Sequence, residues 1–422
     1  MSYSVTLLST SDNMGGASIG AVRLQQAFSR YSSLQSHILV QEKNTDNPSI
    51  TQFDSSWLGK KKKLIRFAGE RLFLKACEAS KEHHWAFDPA LLGLDVTKHP
   101  LVQQADLIHL HWINHGFLST HSLAKLAGMN KPLVWTMHDM WPFTGGCHHS
   151  GECDHYTQYC GVCKFLGKPS PTDLSNQVWH RKNTALTNAP LTAVACSEWL
   201  AGRARESSLL QNHQVVTIPN PLDTNVFKPT DKTLARRTLG LPTDKHFILF
   251  AAMRVDAPMK GFTYFKEALE KMYAEYPETT DQIELLLFGQ TEGVPPLPYP
   301  AHSLGRLSDA SRIALAYSAA SVFVIPSLEE NLPYTIMEAM SCGTPSIGFH
   351  IGGIPELIDD GLNGALASYR SSTDLKRAIH QTLYSPNYEI LRQNARQKVL
   401  TQYAEPVIAQ RYFDLYKEVL AT

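Results

Sequence analysis

The 422-residue sequence contains 39 Lys and Arg residues and 39 Asp and Glu residues, so its formal net charge at neutral pH is zero. This balance gives the chain no overall positive field of the kind that favours nucleic acid, and we expect no nucleic-acid partner. A hydrophobic content of 43% is typical of a globular protein, and the length predicts two domains. Because there is no basic leader and no apolar run of membrane-spanning length, we expect a cytoplasmic protein whose cysteines are reduced or metal-bound.

A turn of small residues follows the first predicted strand. Val5–Leu8 are typical of a buried strand, Asn13–Ser18 include Gly15 and Gly16, and Ile19–Phe28 continue with helical spacing. Strand, glycine turn and helix open a doubly wound α/β domain, and glycines at this point let a ligand approach the backbone. Gly15 and Gly16 are therefore candidate ligand-binding residues, with a tight turn that binds nothing as the alternative. The spacing differs from GxGxxG, which argues against a dinucleotide.

Residues 60–75 carry seven basic side chains and one acidic side chain. Apolar residues recur through the segment at helical spacing: Leu64, Ile65, Phe67, Ala68, Leu72 and Phe73. A basic amphipathic helix is expected. It makes peripheral membrane contact through 60–75, or it packs its apolar stripe on the core and exposes its charges; the pattern leaves both possibilities open.

Histidines lie on two further predicted strands. His109 and His111 share one face of the strand predicted over 106–112, and His138 ends the strand predicted over 131–139. Ligands in open α/β sheets bind beyond the carboxyl ends of the strands. His138 is therefore a candidate active-site residue, with a structural role as the alternative.

The segment 141–167 is rich in cysteine. Cys147, Cys153, Cys160 and Cys163 lie within 17 residues, separated by five, six and two residues. Four thiolates on a short loop match a closed, structural zinc site. The spacing departs from a paired CxxC ribbon, so a redox-active CxxC or a mixed Cys/His site are alternatives.

A proline-rich run after residue 217 predicts the boundary between the two domains, placed at residue 218. Phe247–Ala252 then opens a second doubly wound domain, and Arg254 and Lys260 follow in its first strand-to-helix loop. Phosphates bind at such loops, where Arg offers a bidentate fork and Lys a point charge. Solvated loop charges are the alternative for both residues.

Two carboxylates surround the start of a predicted helix later in this domain. A buried strand is predicted over Val322–Ile325, and the helix is predicted to begin at Pro333, with Glu330 before it and Glu338 inside it. Eight helical steps between the two residues would span about 12 Å. The amide groups of a helix start suit a diphosphate, and a carboxylate at each end accepts hydrogen bonds from hydroxyl groups. The predicted ligand is a nucleotide-sugar; a capping Glu330 and an exposed Glu338 are the alternative.

From Pro326 to Gly353 the order of strand, Pro-Ser turn, Glu-Asn-Leu-Pro, helix and Gly-Gly pair resembles the donor-site signature of retaining glycosyltransferases of family 4. The resemblance implies the GT-B fold: two Rossmann-like doubly wound α/β domains that face a cleft, with a C-terminal helix that crosses back to the N-terminal domain. The expected ranges are 1–217 for the acceptor domain, with the insertion 141–167 and with 405–422 packed on it, and 218–404 for the nucleotide-sugar domain.

The resemblance also assigns roles to residues. It implies retention of anomeric configuration, catalytic roles for His138, Arg254, Lys260 and Glu330, and donor binding by Gly15, Gly16, Asn331, Leu332, Pro333 and Glu338. It further implies a glycan or polyprenyl-linked acceptor at the inner face of the cytoplasmic membrane. The run HDMWPFTGGCH with its following cysteines resembles a subset associated with bacterial exopolysaccharide and colanic acid-type clusters.

Two features bear on this resemblance. Where the family usually has Gly-Arg-Leu and one residue fewer before its Lys-Gly, this chain has Met253 before Arg254, so the Arg254 match is the less secure one. The chain contains no Asp-x-Asp, the usual holder of Mg²⁺ or Mn²⁺ on a diphosphate, so we expect no catalytic cofactor. A non-catalytic nucleotide-sugar-binding protein and a zinc or thiol-redox protein are the rival functions.

Overall fold

The computed structural model describes residues 3–255 and 257–421, and the chain divides into two units. Unit 1 comprises Met1–Pro221 and Ile408–Thr422, and unit 2 comprises Leu222–Val407. The second unit therefore starts at residue 222, compared with the predicted 218. The outermost residues of the predicted domain ranges, 1–2 and 422, lie outside the described residues.

Unit 1 contains a seven-stranded sheet in which all neighbouring strands run parallel. Its strands are β1 Ser4–Ser11, β2 Gln35–Glu42, β3 Ile50–Gln52, β4 Leu107–Leu110, β5 Leu133–Met137, β6 Leu191–Ala195 and β7 Gln214–Thr217, in the order β3-β2-β1-β4-β5-β6-β7. Strands β4, β5 and β6 are buried along their whole length, because helices cover both faces of a parallel sheet.

The helices of unit 1 connect these strands. They are α1 Gly15–Tyr31, α2 Trp57–Cys77, α3 Pro100–Gln104, α4 Thr120–Ala127, α5 Leu174–Leu186 and α6 Glu198–Glu206. Side-chain caps by Ser56, Ser119, Asp173 and Ser197 mark the starts of α2, α4, α5 and α6.

Unit 2 contains a six-stranded sheet that is also parallel throughout. Its strands are β8 His246–Arg254, β9 Ile283–Gln290, β10 Ala301–Ser303, β11 Val322–Ile325, β12 Ser346–Phe349 and β13 Gly364–Ala367, in the order β10-β9-β8-β11-β12-β13. The helices are α7 Lys232–Leu239, α8 Phe262–Glu275, α9 Ala310–Ala319, α10 Tyr334–Ser341, α11 Ile354–Leu357, α12 Ser372–Leu383 and α13 Tyr388–Gln402.

The last helix, α14, spans Glu405–Ala421, and its residues from Ile408 onward belong to unit 1. Tyr412 and Tyr416 are buried there, and both rings contact Phe28 of α1. The C-terminal segment thus fills part of the core of the unit that also contains the N-terminal strand.

Strand order reverses direction once in each sheet, between β1 and β4 in unit 1 and between β8 and β11 in unit 2. At such a switch point the loops leave in opposite directions and open a crevice at the carboxyl ends of the strands. The crevice of unit 1 is bordered by the loops after β1 and β4, and that of unit 2 by the loops after β8 and β11.

One sequence expectation is wrong in its geometry. The helix predicted to begin at Pro333 begins at Tyr334, with Pro333 at its N-cap position. Residues 326–333 form an irregular turn, so the chain from Glu330 to Glu338 does not run through eight helical steps. Four helical steps from Tyr334 to Glu338 rise about 6 Å, so the 12 Å separation does not follow from helix geometry.

Within the described residues, no helix combines the length and the hydrophobicity that a membrane-spanning segment requires.

Candidate functional site

Lys260 and Glu330 form an ion pair at the switch point of unit 2. Lys260 ends a 3-10 turn after β8, and Glu330 lies in the turn after β11, 70 residues later. The Lys260 side chain is 39% exposed and the Glu330 side chain is 16% exposed. The structure therefore brings together two predicted site residues, and the Lys260 side chain stays partly exposed.

Two glycines fix the turns that carry this pair. Gly261 has φ +68°, and a Cβ there would overlap the carbonyl oxygen of Pro326 in the turn after β11. Gly352 has φ +58°, and a Cβ there would overlap the carbonyl oxygen of Glu330 itself. The amide of Leu328 donates to the carbonyl of Met259 at 2.9 Å. The turns after β8, β11 and β12 are thus in backbone contact, which holds Glu330 at a fixed height above the sheet.

Arg254 is exposed and is the last residue of β8 rather than part of the following loop. The pairing of β8 with β9 shifts register between Ala252 and Arg254. A bulge of this kind redirects the side chains that follow it. The observed irregularity falls where the sequence departs from the family pattern.

The predicted donor-binding residues around α10 are mostly buried. Asn331 is 8% exposed, Leu332 is 7% exposed and Pro333 is buried. Glu338 is 8% exposed and accepts a hydrogen bond from Tyr317 at 3.4 Å. Glu330 and Glu338 both face the protein, and the first turn of α10 has no side-chain cap, so its backbone amides are not satisfied by the residue at N-cap.

Ser327 was not singled out by the sequence analysis. It follows Pro326 in the turn after β11, it is fully buried, and its hydroxyl has no hydrogen-bond partner within the described part of the chain. A buried hydroxyl without a partner is uncommon. Its sequence signal is its place in the Pro-Ser turn that follows the buried strand.

In unit 1, Gly15 and Gly16 form the start of α1 rather than a loop before it. Gly15 has φ +81°, and a Cβ at either glycine would meet nothing within 4 Å. The exposed Met14 precedes them. This helix start is therefore open on the side where a side chain would project.

His111 and His138 are hydrogen-bonded to each other at the ends of β4 and β5. Nδ1 of His111 lies 3.0 Å from Nε2 of His138, and Nδ1 of His138 lies 3.8 Å from the sulfur of Cys196. Burial lowers the pKa of His138 to about 4 and that of His111 well below its usual value. Both imidazoles are therefore neutral at pH 7, and a neutral imidazole can hydrogen-bond a hydroxyl group.

His109 lies deeper, on β4, and is fully buried. Its Nε2 lies 2.7 Å from the hydroxyl of Thr136, and its Nδ1 lies 2.6 Å from the hydroxyl of Tyr416 on α14. Burial lowers the pKa of His109 to about 3. Because both ring nitrogens are used inside the core, His109 has a structural role.

Asp139 follows His138 beyond the end of β5, where the sequence placed a His-Asp pair without giving the carboxylate a role of its own. Its carboxylate accepts hydrogen bonds from the indole of Trp112 at 3.0 Å and from the amide of Trp141 at 2.8 Å, and it contacts Nδ1 of His148 at 2.8 Å. Burial would raise the pKa of Asp139, but the adjacent His148 lowers it to about 2. Asp139 therefore joins the end of β5 to the beginning of the cysteine-rich segment.

The four cysteines of segment 141–167 line one cavity of about 20 Å³ together with Phe87 and Tyr156. The sulfur of Cys160 accepts a hydrogen bond from the amide of Gly145 at 3.1 Å. Burial raises the pKa of Cys160 to about 12 and that of Cys163 to about 11, and neighbouring thiols add to both effects.

The structure agrees with the expected zinc site in the position of the four cysteines but not in their coordination geometry. Although the thiols share a cavity, residues 3–255 and 257–421 contain no group of three or more His, Cys, Asp or Glu side chains arranged to hold a metal ion. A buried cation lies near the thiols: Lys182 donates to the carbonyls of Trp141 and Thr144, and burial lowers its pKa to about 7.

Family models match both units. Residues 72–226 match Glycosyltransferase Family 4, and residues 245–385 match Glycosyl transferases group 1. Each unit thus contains a segment that matches a glycosyltransferase model. The group 1 match contains Arg254, Lys260, Glu330 and Gly352, so the residues that converge in unit 2 lie within a matched segment.

Curated glycosyltransferases are similar to this chain over about half of its length. A D-inositol 3-phosphate glycosyltransferase of Geodermatophilus obscurus is 30% identical over 204 residues, which are 44% of this chain and 45% of that protein. The enzyme of the same name from Streptomyces bingchenggensis is 30% identical over 237 residues, or 49% of this chain and 52% of that protein. The match thus spans about half the length of these relatives.

Solved structures show the fold over the whole chain. Sucrose-phosphate synthase from Thermosynechococcus elongatus has a TM-score of 0.67 at 21% identity and covers 99% of both chains. Anabaena Alr3699/HepE in complex with UDP-glucose has a TM-score of 0.61 at 16% identity, covering 99% of this chain and 100% of that one. The fold is that of the GT-B glycosyltransferases, as the sequence predicted.

Proposed function

We propose that the protein transfers a monosaccharide from a nucleotide-sugar to a glycan or lipid-linked glycan acceptor, with retention of anomeric configuration. The observation that carries this proposal is the Lys260–Glu330 pair at the switch point of unit 2, beside the start of α10. A cation, a carboxylate and a helix N-terminus at one crevice suit a ligand with a pyrophosphate and a hydroxyl-rich ring.

In this mechanism unit 2 stabilises the departing nucleoside diphosphate. Lys260 and Arg254 neutralise the charge that develops on the leaving oxygen, and the first amides of α10 add to this field. Groups that are already oriented need no reorganisation as charge develops, so they favour the transition state over the ground state. Glu330 accepts hydrogen bonds from the sugar hydroxyls, and its release from Lys260 frees the ammonium group for a phosphate oxygen.

The sugar and the ribose of the nucleotide-sugar would contact different side chains. We propose that Glu338 contacts the ribose and that Asn331, Leu332 and Pro333 line the path between sugar and ribose. Glu338 already accepts from Tyr317 inside the unit, so a ribose hydroxyl would join an existing hydrogen bond rather than meet a solvated carboxylate. UDP-sugars are the first donors to test, because HepE, a protein of the same fold, binds UDP-glucose.

For unit 1 we propose contact with uncharged hydroxyl groups. No formal charge is carried by the helix start at Gly15 and Gly16 or by the neutral imidazole of His138. Uncharged groups of this kind suit a sugar or an acceptor glycan. The proposed setting is the cytoplasm, in bacterial surface polysaccharide synthesis. Support for that setting is the resemblance of the HDMWPFTGGCH segment alone.

We also propose that the cysteine loop binds a structural zinc ion. The shared cavity and the Gly145 amide directed at Cys160 support it, while the thiols as arranged do not form a coordination set. Metal analysis of purified protein should find about one zinc per chain, lost in C153S and retained in C77S. A disulfide found between Cys160 and Cys163 by mass spectrometry, with no zinc, would favour the redox alternative.

The deciding experiment compares E330Q with E329Q. A thermal-shift panel of UDP-, GDP-, dTDP- and ADP-sugars first identifies the donor, and release of its nucleoside diphosphate with a membrane extract as acceptor source then measures turnover. We expect E330Q to lose about 100-fold or more in turnover and E329Q to behave like the wild type. Equal turnover of the two variants would contradict the role of Glu330. Donor binding without turnover in the wild type would favour the non-catalytic nucleotide-sugar-binding function.

A further inference from the structure

Helix α2 packs on unit 1 through its polar side. Arg66 donates to the carbonyl of Gly116 at 3.0 Å, and Arg71 forms a buried ion pair with Asp88 at 3.0 Å. Glu70 is 1% exposed. The charged residues of this helix therefore hold it in place, which is the opposite of an ordinary surface helix.

Leu74 of α2 is buried and Phe67 is half-buried against Trp85 and His115, but most of the large apolar residues of the helix are exposed. The exposed ones are Trp57 (65% exposed), Leu58 (58%), Leu64 (63%), Ile65 (68%), Leu72 (68%) and Phe73 (43%). At 100° per residue, Leu58, Ile65 and Leu72 fall on the side of the helix opposite Glu70 and Leu74. Trp57, Leu64 and Phe73 lie on its flanks. Of the apolar stripe expected from the sequence, Phe67 and Ala68 are half-buried and the other four residues are exposed, so the stripe as a whole does not pack on the core.

The charges on the exposed side all have one sign. Lys60, Lys61, Lys62 and Lys75 are exposed, and the single acidic residue of the helix, Glu70, is buried. Lys61 lies over the ring of Trp57 at 3.7 Å, so cation and apolar surface are adjacent. The outward face of α2, defined by the six apolar residues and these four lysines, presents apolar area within a positive field.

We propose that the outward face of α2 binds the surface of an anionic lipid bilayer, with the helix lying in the interface. Apolar side chains enter the acyl boundary there, while lysines meet acidic headgroups. A second copy of the chain is a poorer occupant, because two such faces would oppose eight lysines with no exposed carboxylate from either helix. Nucleic acid would use the lysines and leave the apolar residues in water.

This binding needs no sugar transfer, so it can be tested separately from the proposed function. It would also place the enzyme beside a lipid-linked acceptor. Failure of membrane binding would leave donor binding at Glu330 untouched, and failure of transfer would leave vesicle binding untouched.

The test is co-sedimentation of the full chain with phosphatidylcholine vesicles, with and without phosphatidylglycerol. We expect binding to the mixed vesicles that weakens as salt is added, since surface charge is screened. L64S/I65S/L72S should bind at least about tenfold more weakly. The matched control L362S/I390S replaces residues that are similarly exposed, 61% and 54%, on unit 2, and should bind like the wild type.

Charge is tested in the same way. K60Q/K61Q/K62Q should lose about tenfold or more in binding to mixed vesicles, whereas K98Q/K168Q/K228Q removes the same charge elsewhere and should lose little. Equal binding to neutral and anionic vesicles, or equal losses in target and control variants, would overturn the proposal. A dimer in solution that L64S/I65S/L72S disrupts, without vesicle binding by the wild type, would assign the face to a second copy.

Discussion

The switch points of the two units have the same topology and opposite chemistry. In unit 1 the crevice is bordered by two glycines and by histidines that are hydrogen-bonded to each other and neutral at pH 7. In unit 2 it is bordered by an exposed arginine and by an ammonium–carboxylate pair. A doubly wound sheet thus decides where a ligand can bind, while the side chains on its loops decide which chemical group is bound.

The difference follows from burial. His109, His111 and His138 stack beneath the loops and α14, and the cost of burying a charge keeps them neutral. Lys260 instead ends a short 3-10 turn, where its side chain is 39% exposed and paired with Glu330. The charged crevice suits a pyrophosphate, and the neutral crevice suits hydroxyl groups.

The largest effect is expected from removing the cation of the unit 2 crevice. K260M should lower kcat/KM for the donor by about 100-fold or more, because the developing charge on the leaving group loses its nearest counter-ion. K266M, which breaks only a surface pair with Glu270, is the control. If the two variants show the same donor kinetics, the charged crevice is not where the diphosphate leaves.

A backbone variant separates position from charge. G352A should reduce turnover by about tenfold or more, because the new Cβ pushes against the carbonyl of Glu330 and moves its carboxylate. The control is G361A, because Gly361 has a similar φ of +74° but a Cβ there would meet nothing within 4 Å. This variant therefore introduces the backbone strain without the steric overlap. Similar turnover in G352A and G361A would show that Glu330 does not require this support.

The neutral crevice predicts a pH dependence of stability. His109 has a folded pKa of about 3 against 6.5 unfolded, so the unfolded chain binds more protons between these values and stability falls as the pH drops through that window. This one group should lower the free energy of unfolding of unit 1 by about 2 kcal/mol between pH 7 and pH 5.

Urea unfolding followed by tryptophan fluorescence reports unit 1 by itself, because all seven tryptophans of the chain lie in it. The pH slope should shrink in H109Q and persist in H121Q, whose histidine is exposed. A slope unchanged by H109Q would mean that this imidazole is not held neutral by the fold.

The smallest effect is expected from metal removal. Turnover should survive EDTA, because Lys260 and Arg254 take the place of a divalent ion on the diphosphate and the chain has no Asp-x-Asp. Loss of turnover in EDTA that Mn²⁺ restores and zinc does not would place a metal ion in the unit 2 crevice. It would contradict the view that side-chain charges alone distinguish this crevice from that of unit 1.

Several parts of the site could be predicted because the signal is local. The order of strand, turn and helix after Val322, the Gly-Gly pair, and the basic residues at the end of β8 and in the turn that follows are short-range patterns, and each has a physical preference of its own. Other parts could not. That Gly352 supports Glu330, and that Asp139 joins two tryptophans and His148, depends on contacts between segments that only the folded sheet brings together.

The two doubly wound units, the residues after their strands and the amphipathic pattern of α2 can be predicted from the sequence, because strand and helix periods and turn residues are properties of neighbouring positions. Which polar groups are buried and which apolar groups are exposed depends on tertiary packing. Packing keeps His109, His111 and His138 neutral, pairs Lys260 with Glu330 across 70 residues, and leaves most of the large apolar residues of α2 exposed. Burial is set by what packs against a residue, and for these residues the packing partners lie far away in the chain.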